Sequence, residues 1–289
     1  SASLNPVAPP VARVVGRHLD ALDRYPDPSR ATAALAEVLG VPAARVVLTN
    51  GGAEAIALVA AELGRGRVDD PDFSLYRRHL SEVVPDGPRI RSNPHNPTGA
   101  LAGRGERAAV WDEAFYPLAT GEWTRGDADH GAVVIGSLTK VFACPGLRAG
   151  FVVAPADDRS WAERVRGRQP QWSLNGLAAA AVPDLVGTAD LRAWSLAIAG
   201  LRDQLVDLLR RNGFAPEPSD ANYVLVPGAE GLRERLAARG VVVRDCSSFG
   251  LPGHVRVAVP SAGGLARLAG ALAAGGADGR RGLGQEAGS

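Results

Sequence analysis

The chain has 289 residues, 46% of them hydrophobic, which is enough to bury a large core and form one large domain with a smaller companion. A formal charge of +1 argues against nucleic acid or an acidic polymer as partner. Two cysteines, Cys144 and Cys246, are too few for a disulfide framework, and no apolar run reaches the roughly 18 residues of a membrane span. No signal-peptide pattern opens the chain, so the expectation is a cytoplasmic protein.

In chain order, Ser1-Ala2-Ser3-Leu4-Asn5-Pro6 reads as an extended, proline-punctuated arm. Val11 to Leu22 has helical spacing, which Tyr25-Pro26-Asp27 then breaks. Val46-Val47-Leu48-Thr49-Asn50 predicts a short buried strand, and Gly51-Gly52-Ala53-Glu54 opens an apolar helix to about Leu63. Strand, small-residue turn and helix N-terminus together make an anion site, because free backbone N–H groups and the helix dipole both favour phosphate. The G-x-G-x-x-G pattern is absent, which argues against a dinucleotide.

Pro71-Asp72-Phe73-Ser74-Leu75-Tyr76 leads towards Asn93-Pro94-His95-Asn96-Pro97-Thr98-Gly99. Two prolines and a glycine fix that second loop, so the amide of Asn96 is aimed at one place. Ala108 to Trp111 is a short strand that delivers Asp112-Glu113-Ala114-Phe115, and Ala132 to Ile135 is another. Asp157 to Arg166, Asn175 to Ala181 and Ala189 to Arg211 read as helices, the last linking to a small C-terminal domain. His254 to Val259 alternates as a strand should, with Arg256 on one face, where an edge-strand arginine is ordinarily solvated. The tail from Ala273 is rich in glycine and small residues and reads as disordered. The five histidines show no metal-ligand spacing, and no metal is expected.

Lys140 is the only lysine; every other member of the 32 Lys and Arg positions is arginine. Arginine pairs carboxylates and keeps a surface soluble, but its pKa stays above about 12, so it cannot attack a carbonyl. One retained lysine therefore reads as a nucleophile, set against the plain alternative that the chain simply has few lysines. The neighbours decide. Ser137 lies three residues before it and Arg148 eight after, a hydroxyl and a guanidinium suited to an anionic group held beside a carbonyl.

The stretch Ser137-Leu138-Thr139-Lys140 … Pro145-Gly146-Leu147-Arg148 resembles the lysine loop of fold type I pyridoxal 5′-phosphate (PLP) enzymes, the aminotransferase superfamily. Its form is most similar to the branch holding threonine-phosphate decarboxylase of cobalamin synthesis and histidinol-phosphate aminotransferase. The resemblance implies an α/β fold: a large domain with a mostly parallel sheet and the N-terminal arm over 1–190, a small α+β domain over 191–275, and a disordered tail over 276–289.

It also implies roles. Lys140 would carry the cofactor and Asp112 would pair with the pyridine nitrogen. Gly52, Ala53, Ser137 and Arg148 would bind the phosphate, with Tyr25 reaching the neighbouring subunit's phosphate in a homodimer. Phe73 would stack on the ring and Asn96 would meet O3′. Arg256 would take a substrate carboxylate. Asn175 would face the substrate, and Ser3, Asn5 and Arg244 are candidates for a substrate phosphate. Phe115 stands where many aminotransferases have tyrosine and matches the decarboxylase branch. Asp72 departs from the family's threonine. The intervals from Phe73 to Asn93 and from Gly99 to Asp112 are shorter than the family's, so the sheet's periphery is expected to be abridged. Three functions follow: decarboxylation of threonine O-3-phosphate, transamination of the histidinol-phosphate kind, and PLP binding without catalysis.

Overall fold

In the computed structural model, residues 3–158 and 160–282 are described, those of 275–282 by backbone alone. Seven strands form the large sheet: β1 (Val46–Thr49), β2 (Arg65–Val68), β3 (Glu82–Val83), β4 (Arg89–Ser92), β5 (Val110–Asp112), β6 (Val133–Gly136) and β7 (Gly150–Val153). Their order is β1-β7-β6-β5-β4-β2-β3. Only β7 runs against its neighbours; the other pairings are parallel. This is the expected mostly parallel sheet, and the two-residue β3 makes one of its edges short.

The central strands are continuous apolar runs because both sheet faces are covered. Alternation along each strand then divides the core in two. Val46, Leu48, Val134, Phe151 and Val153 pack against the helices Ser29–Leu39 and Gly176–Gly187. Val47, Val133, Ile135 and Val152 pack against Gly52–Leu63 and Trp161–Arg168.

The 21-residue helix Leu191–Arg211 leads into a second sheet of β8 (Tyr223–Val226), β9 (Arg244–Asp245) and β10 (Val255–Ala258). Its order is β8-β10-β9, all antiparallel. Leu205, Leu209, Val224, Val226, Val255 and Val257 form its core with the helix Ala262–Gly282.

Some expectations are corrected. Val11–Leu22 is one α-turn, Ala12–Val15, followed by a 3-10 segment kinked at His18, not a regular helix. The helix expected from Asp157 begins at Trp161. Arg256 lies on the central strand of the small sheet and is buried, so the plain alternative of a solvated edge-strand arginine does not apply. Helix continues to Gly282 through part of the segment expected to be a disordered tail, and residues 283–289 lie outside the described residues.

The N-terminal arm is anchored at both domains. The Asn5 N–H donates to the Lys140 carbonyl at 3.1 Å, and its side-chain amide donates to the Val141 carbonyl at 2.9 Å. The Asn222 amide donates to the carbonyls of Ser3 and Leu4 at 2.8 and 3.2 Å.

Candidate active site

In parallel sheets, ligands gather beyond the carboxyl ends of the strands. Here β1 ends at Thr49, just before Gly51-Gly52, β4 at Ser92 before the Asn93–Gly99 loop, β5 at Asp112 and β6 at Gly136, just before Ser137. The reversed β7 starts on the same edge, since Gly150 is paired with Thr49. That reversal is why Arg148, two residues before β7, reaches the lysine turn.

A cavity of about 310 Å³ opens there. Gly52, Ala53, Ser137 and Arg148 line it, as do Lys140, Asp112, Phe73 and Asn96. Arg244 and Arg256 reach it from the small domain.

Gly52 and Ala53 begin a 12-residue helix, whose first N–H groups have no partner within the helix. Gly51 has φ +79° and ψ 170°, a conformation essentially reserved for glycine. A β-carbon on it would lie 2.4 Å from an Arg148 nitrogen, and one on Gly52 would lie 3.7 Å from Ser137 Oγ. Helix N-terminus, hydroxyl and guanidinium are therefore immediate neighbours and form a cradle for an anion.

Asp112 is buried, with one oxygen accepting from the Tyr76 hydroxyl at 2.7 Å and the other from the Ala114 N–H at 3.0 Å. Burial pushes its carboxyl up to about 6 against those hydrogen bonds. Burial likewise lowers Lys140, helped by the charges of Arg256 and Arg148 and opposed by Asp112. The Lys140 ammonium lies 5.6 Å from the Phe115 ring centroid. Arg256 donates to Asn96 Oδ1 and stacks over Tyr223 at 4.6 Å from its centroid. Its planar fork is thus held in place before any ligand arrives.

The family described as Aminotransferase class I and II matches residues 90–272. The chain belongs to this family. It is 33% identical to histidinol-phosphate aminotransferase 2 of Methylococcus capsulatus, over 88% of this chain and 83% of that protein. It is 30% identical to threonine-phosphate decarboxylase of Salmonella typhimurium, over 94% of this chain and 89% of that one. Histidinol-phosphate aminotransferase from Clostridium acetobutylicum superposes with a TM-score of 0.85 at 22% identity, covering 96% of this chain and 98% of that one, a likeness of fold. The alignment with the Methylococcus protein runs over 314 positions, more than the 289 residues here, so that relative has residues where this chain has none.

The cofactor of the class I and II aminotransferases is PLP, and the cavity fits it on three counts. The anion cradle suits a phosphate. A buried carboxylate whose charged form is penalised suits a cationic ring nitrogen. An amine with a lowered pKa suits an aldehyde. Among the described residues no cluster of potential metal ligands occurs and no helix is long and apolar enough to cross a membrane.

Four expected residues do not line the cavity. Asn175 caps the helix Gly176–Gly187, accepting from Ala178 N–H and donating to the Leu147 carbonyl, and so braces the loop before Arg148. Asn5 is spent on the lysine turn, and Ser3 lies buried with its backbone carbonyl on Asn222. Tyr25 is 74% exposed and stacked on Trp172, centroids 4.3 Å apart. Conversely, the cavity includes Tyr76 and Ser92, to which sequence reasoning gave no role. The three-residue step from Phe73 to Tyr76 could have flagged the tyrosine, because that step keeps two side chains on one side of a helical turn. No local signal marks Ser92.

Proposed function

We propose that this chain is a PLP enzyme that removes the carboxylate of a phosphorylated amino acid, threonine O-3-phosphate. The observation that carries the reading is a pair of arginines that line the cavity together with Lys140. With Arg148 assigned to the cofactor's phosphate, Arg256 and Arg244 remain for substrate. Two cations suit a substrate bearing two anionic groups beside its amine, as threonine phosphate does; histidinol phosphate has a phosphate and no carboxylate, although the 2-oxoacid that would take up its amine carries two.

When bound, PLP supplies an electron-accepting ring that lets a bond at the substrate's Cα break. In the proposed arrangement Gly52, Ala53, Ser137 and Arg148 hold its phosphate, and Phe73 lies against the ring. Asn96, its oxygen occupied by Arg256, turns its NH₂ to O3′. Asp112 holds a proton at the ring nitrogen. Lys140 would hold the cofactor through its amine and would be the group that moves a proton at the substrate's Cα. Arg256 fixes the carboxylate and so decides which bond stands perpendicular to the ring; Arg244, bonded to Ser248 Oγ at 2.9 Å, takes the substrate phosphate.

Transamination of the histidinol-phosphate type is the second reading, favoured by the 33% identity to such an enzyme. Incubating the loaded protein with threonine phosphate should release CO₂ without consuming a 2-oxoacid. Turnover of histidinol phosphate with 2-oxoglutarate, and no CO₂ from threonine phosphate, would establish the second reading instead. Absence of both activities in PLP-loaded protein would leave the non-catalytic reading.

We further propose a homodimer in which Tyr25 reaches the second copy's cofactor phosphate. Among the described residues, four of the seven exposed large apolar side chains, Leu19, Leu22, Tyr25 and Trp172, come from the 3-10 segment, Tyr25 just beyond it and its stacking partner. Light scattering should give twice the chain mass at micromolar concentration. A monomer would overturn the assignment of Tyr25.

A further inference from the structure

We infer that Asp72 is a positioning residue of this cavity, a buried carboxylate that ties Phe73, Ser92 and Asn96 into one wall. The inference rests on the PLP reading for its consequence but on hydrogen bonds alone for its geometry. Asp72 is 7% exposed and does not line the cavity itself. One of its oxygens accepts from the Phe73 N–H at 2.7 Å and from the Ser92 hydroxyl at 2.6 Å. The other accepts from the Ser92 N–H at 3.1 Å. The Ser92 oxygen in turn accepts from the Asn96 N–H at 2.8 Å, and Asn96 Oδ1 accepts from Arg256. A single line of bonds thus runs from the ring-stacking residue, through the loop that aims the amide, to the carboxylate-binding arginine.

Three donors converge on this one side chain. An ionised carboxylate accepts all of them, whereas an isosteric amide has one accepting oxygen and turns its NH₂ against an N–H or O–H. The groups facing Asp72 are Arg91 on β4, which favours its charge, and Asp112 on β5, Tyr76 and Tyr223, whose electrostatics couple to it. The His95 ring is held at the neighbouring Pro71 carbonyl. Burial outweighs the hydrogen bonds and pushes the Asp72 carboxyl up to about 6, so the three-bond state is present at neutral pH and is lost on acidification.

The test compares wild type, Asp72→Asn and Ser92→Ala, each loaded with PLP, for cofactor release and for the circular dichroism of the bound cofactor, from about pH 5 to about pH 8. At the upper end Asp72→Asn should release PLP about ten- to a hundredfold more readily, the expected effect of losing a charge-assisted bond and leaving a donor unmet. Its cofactor dichroism should weaken, since the ring is held less rigidly. Ser92→Ala should lose less, and the double variant should lose less than the two effects added, because both act through one link. The advantage of wild type over Asp72→Asn should shrink as the pH falls through about 6; comparison at each pH cancels the cofactor's own ionisations. Equal release, unchanged dichroism, or a ratio that does not vary with pH would overturn the inference. Wild type that takes up no PLP would instead overturn the cofactor reading. Amide exchange at Phe73, Ser92 and Asn96 in the empty protein then tests Asp72 by itself: it should quicken in Asp72→Asn, and unchanged exchange would refute the role. Should Asp72→Asn not fold, Ser92→Ala must still quicken exchange at Asn96, and no change there would be equally fatal.

Discussion

Lys140→Arg should fold, keep its cavity, and lose about four to six orders of magnitude in turnover, the scale seen when a nucleophile is removed from an otherwise intact site. Arginine preserves the positive charge and much of the side-chain reach, so the loss isolates the one property it lacks: an amine that can shed its proton. The cavity is built to promote that loss, because burial and the charges of Arg256 and Arg148 lower the lysine's pKa. Borohydride reduction of loaded wild type, followed by peptide mapping, should place the pyridoxyl mass on Lys140. The chain has no second lysine to confuse the result. Label elsewhere, or an active Lys140→Arg, would refute the assignment.

Asp112→Asn is expected to push activity and stability in opposite directions. An amide carries no charge and cannot hold a proton at the ring nitrogen, so the bond-breaking step at Cα should slow by several orders of magnitude; each lost 1.4 kcal/mol costs about tenfold. Cofactor loading, which depends on Lys140 and the anion cradle, should persist. In the empty protein the sign reverses. The folded-state pKa of Asp112 is raised to about 6, above its unfolded value, so its contribution to stability is greatest in acid and falls as pH rises from about 4 to about 6. Two pKa units correspond to up to about 3 kcal/mol, and at pH 8 the empty Asn variant should be the more stable protein by as much as that. Single-turnover kinetics check the first effect and urea unfolding of both empty proteins the second. An unaltered bond-breaking rate would show that Asp112 does not meet the ring.

The motifs that bear on the cavity were legible because each is local. Gly51-Gly52 before an apolar helix predicts an anion site from backbone geometry alone, and the helix Gly52–Leu63 begins where those glycines require. The Asn93–Gly99 loop is stiffened by its own prolines. Lys140 was conspicuous through composition, being alone among arginines. Two expectations carried by the resemblance fall on side chains that have other partners in the folded chain. Asn175 looked like a substrate contact and serves as a helix cap; Asn5 looked like a phosphate contact and clamps the lysine turn. Both roles satisfy the same amide, and spacing along the chain does not distinguish them.

By itself, then, the sequence pointed to the family, to the approximate strands, and to Lys140 and the Gly52 helix start, which the structure brings to one cavity, because periodicity and turn chemistry act over a few residues. The tertiary structure decided which residues meet across long separations: Tyr76 with Asp112, Asp72 with Ser92, and Arg256 with Asn96, 36, 20 and 160 residues apart. It also placed Arg256 on a central strand, where desolvation and stacking on Tyr223 turn an ordinary arginine into a fixed fork. The physical reason is that strand order, and the single reversed strand β7, set those encounters. Strand order is a property of how two cores close over one sheet, and no stretch of the chain carries it alone.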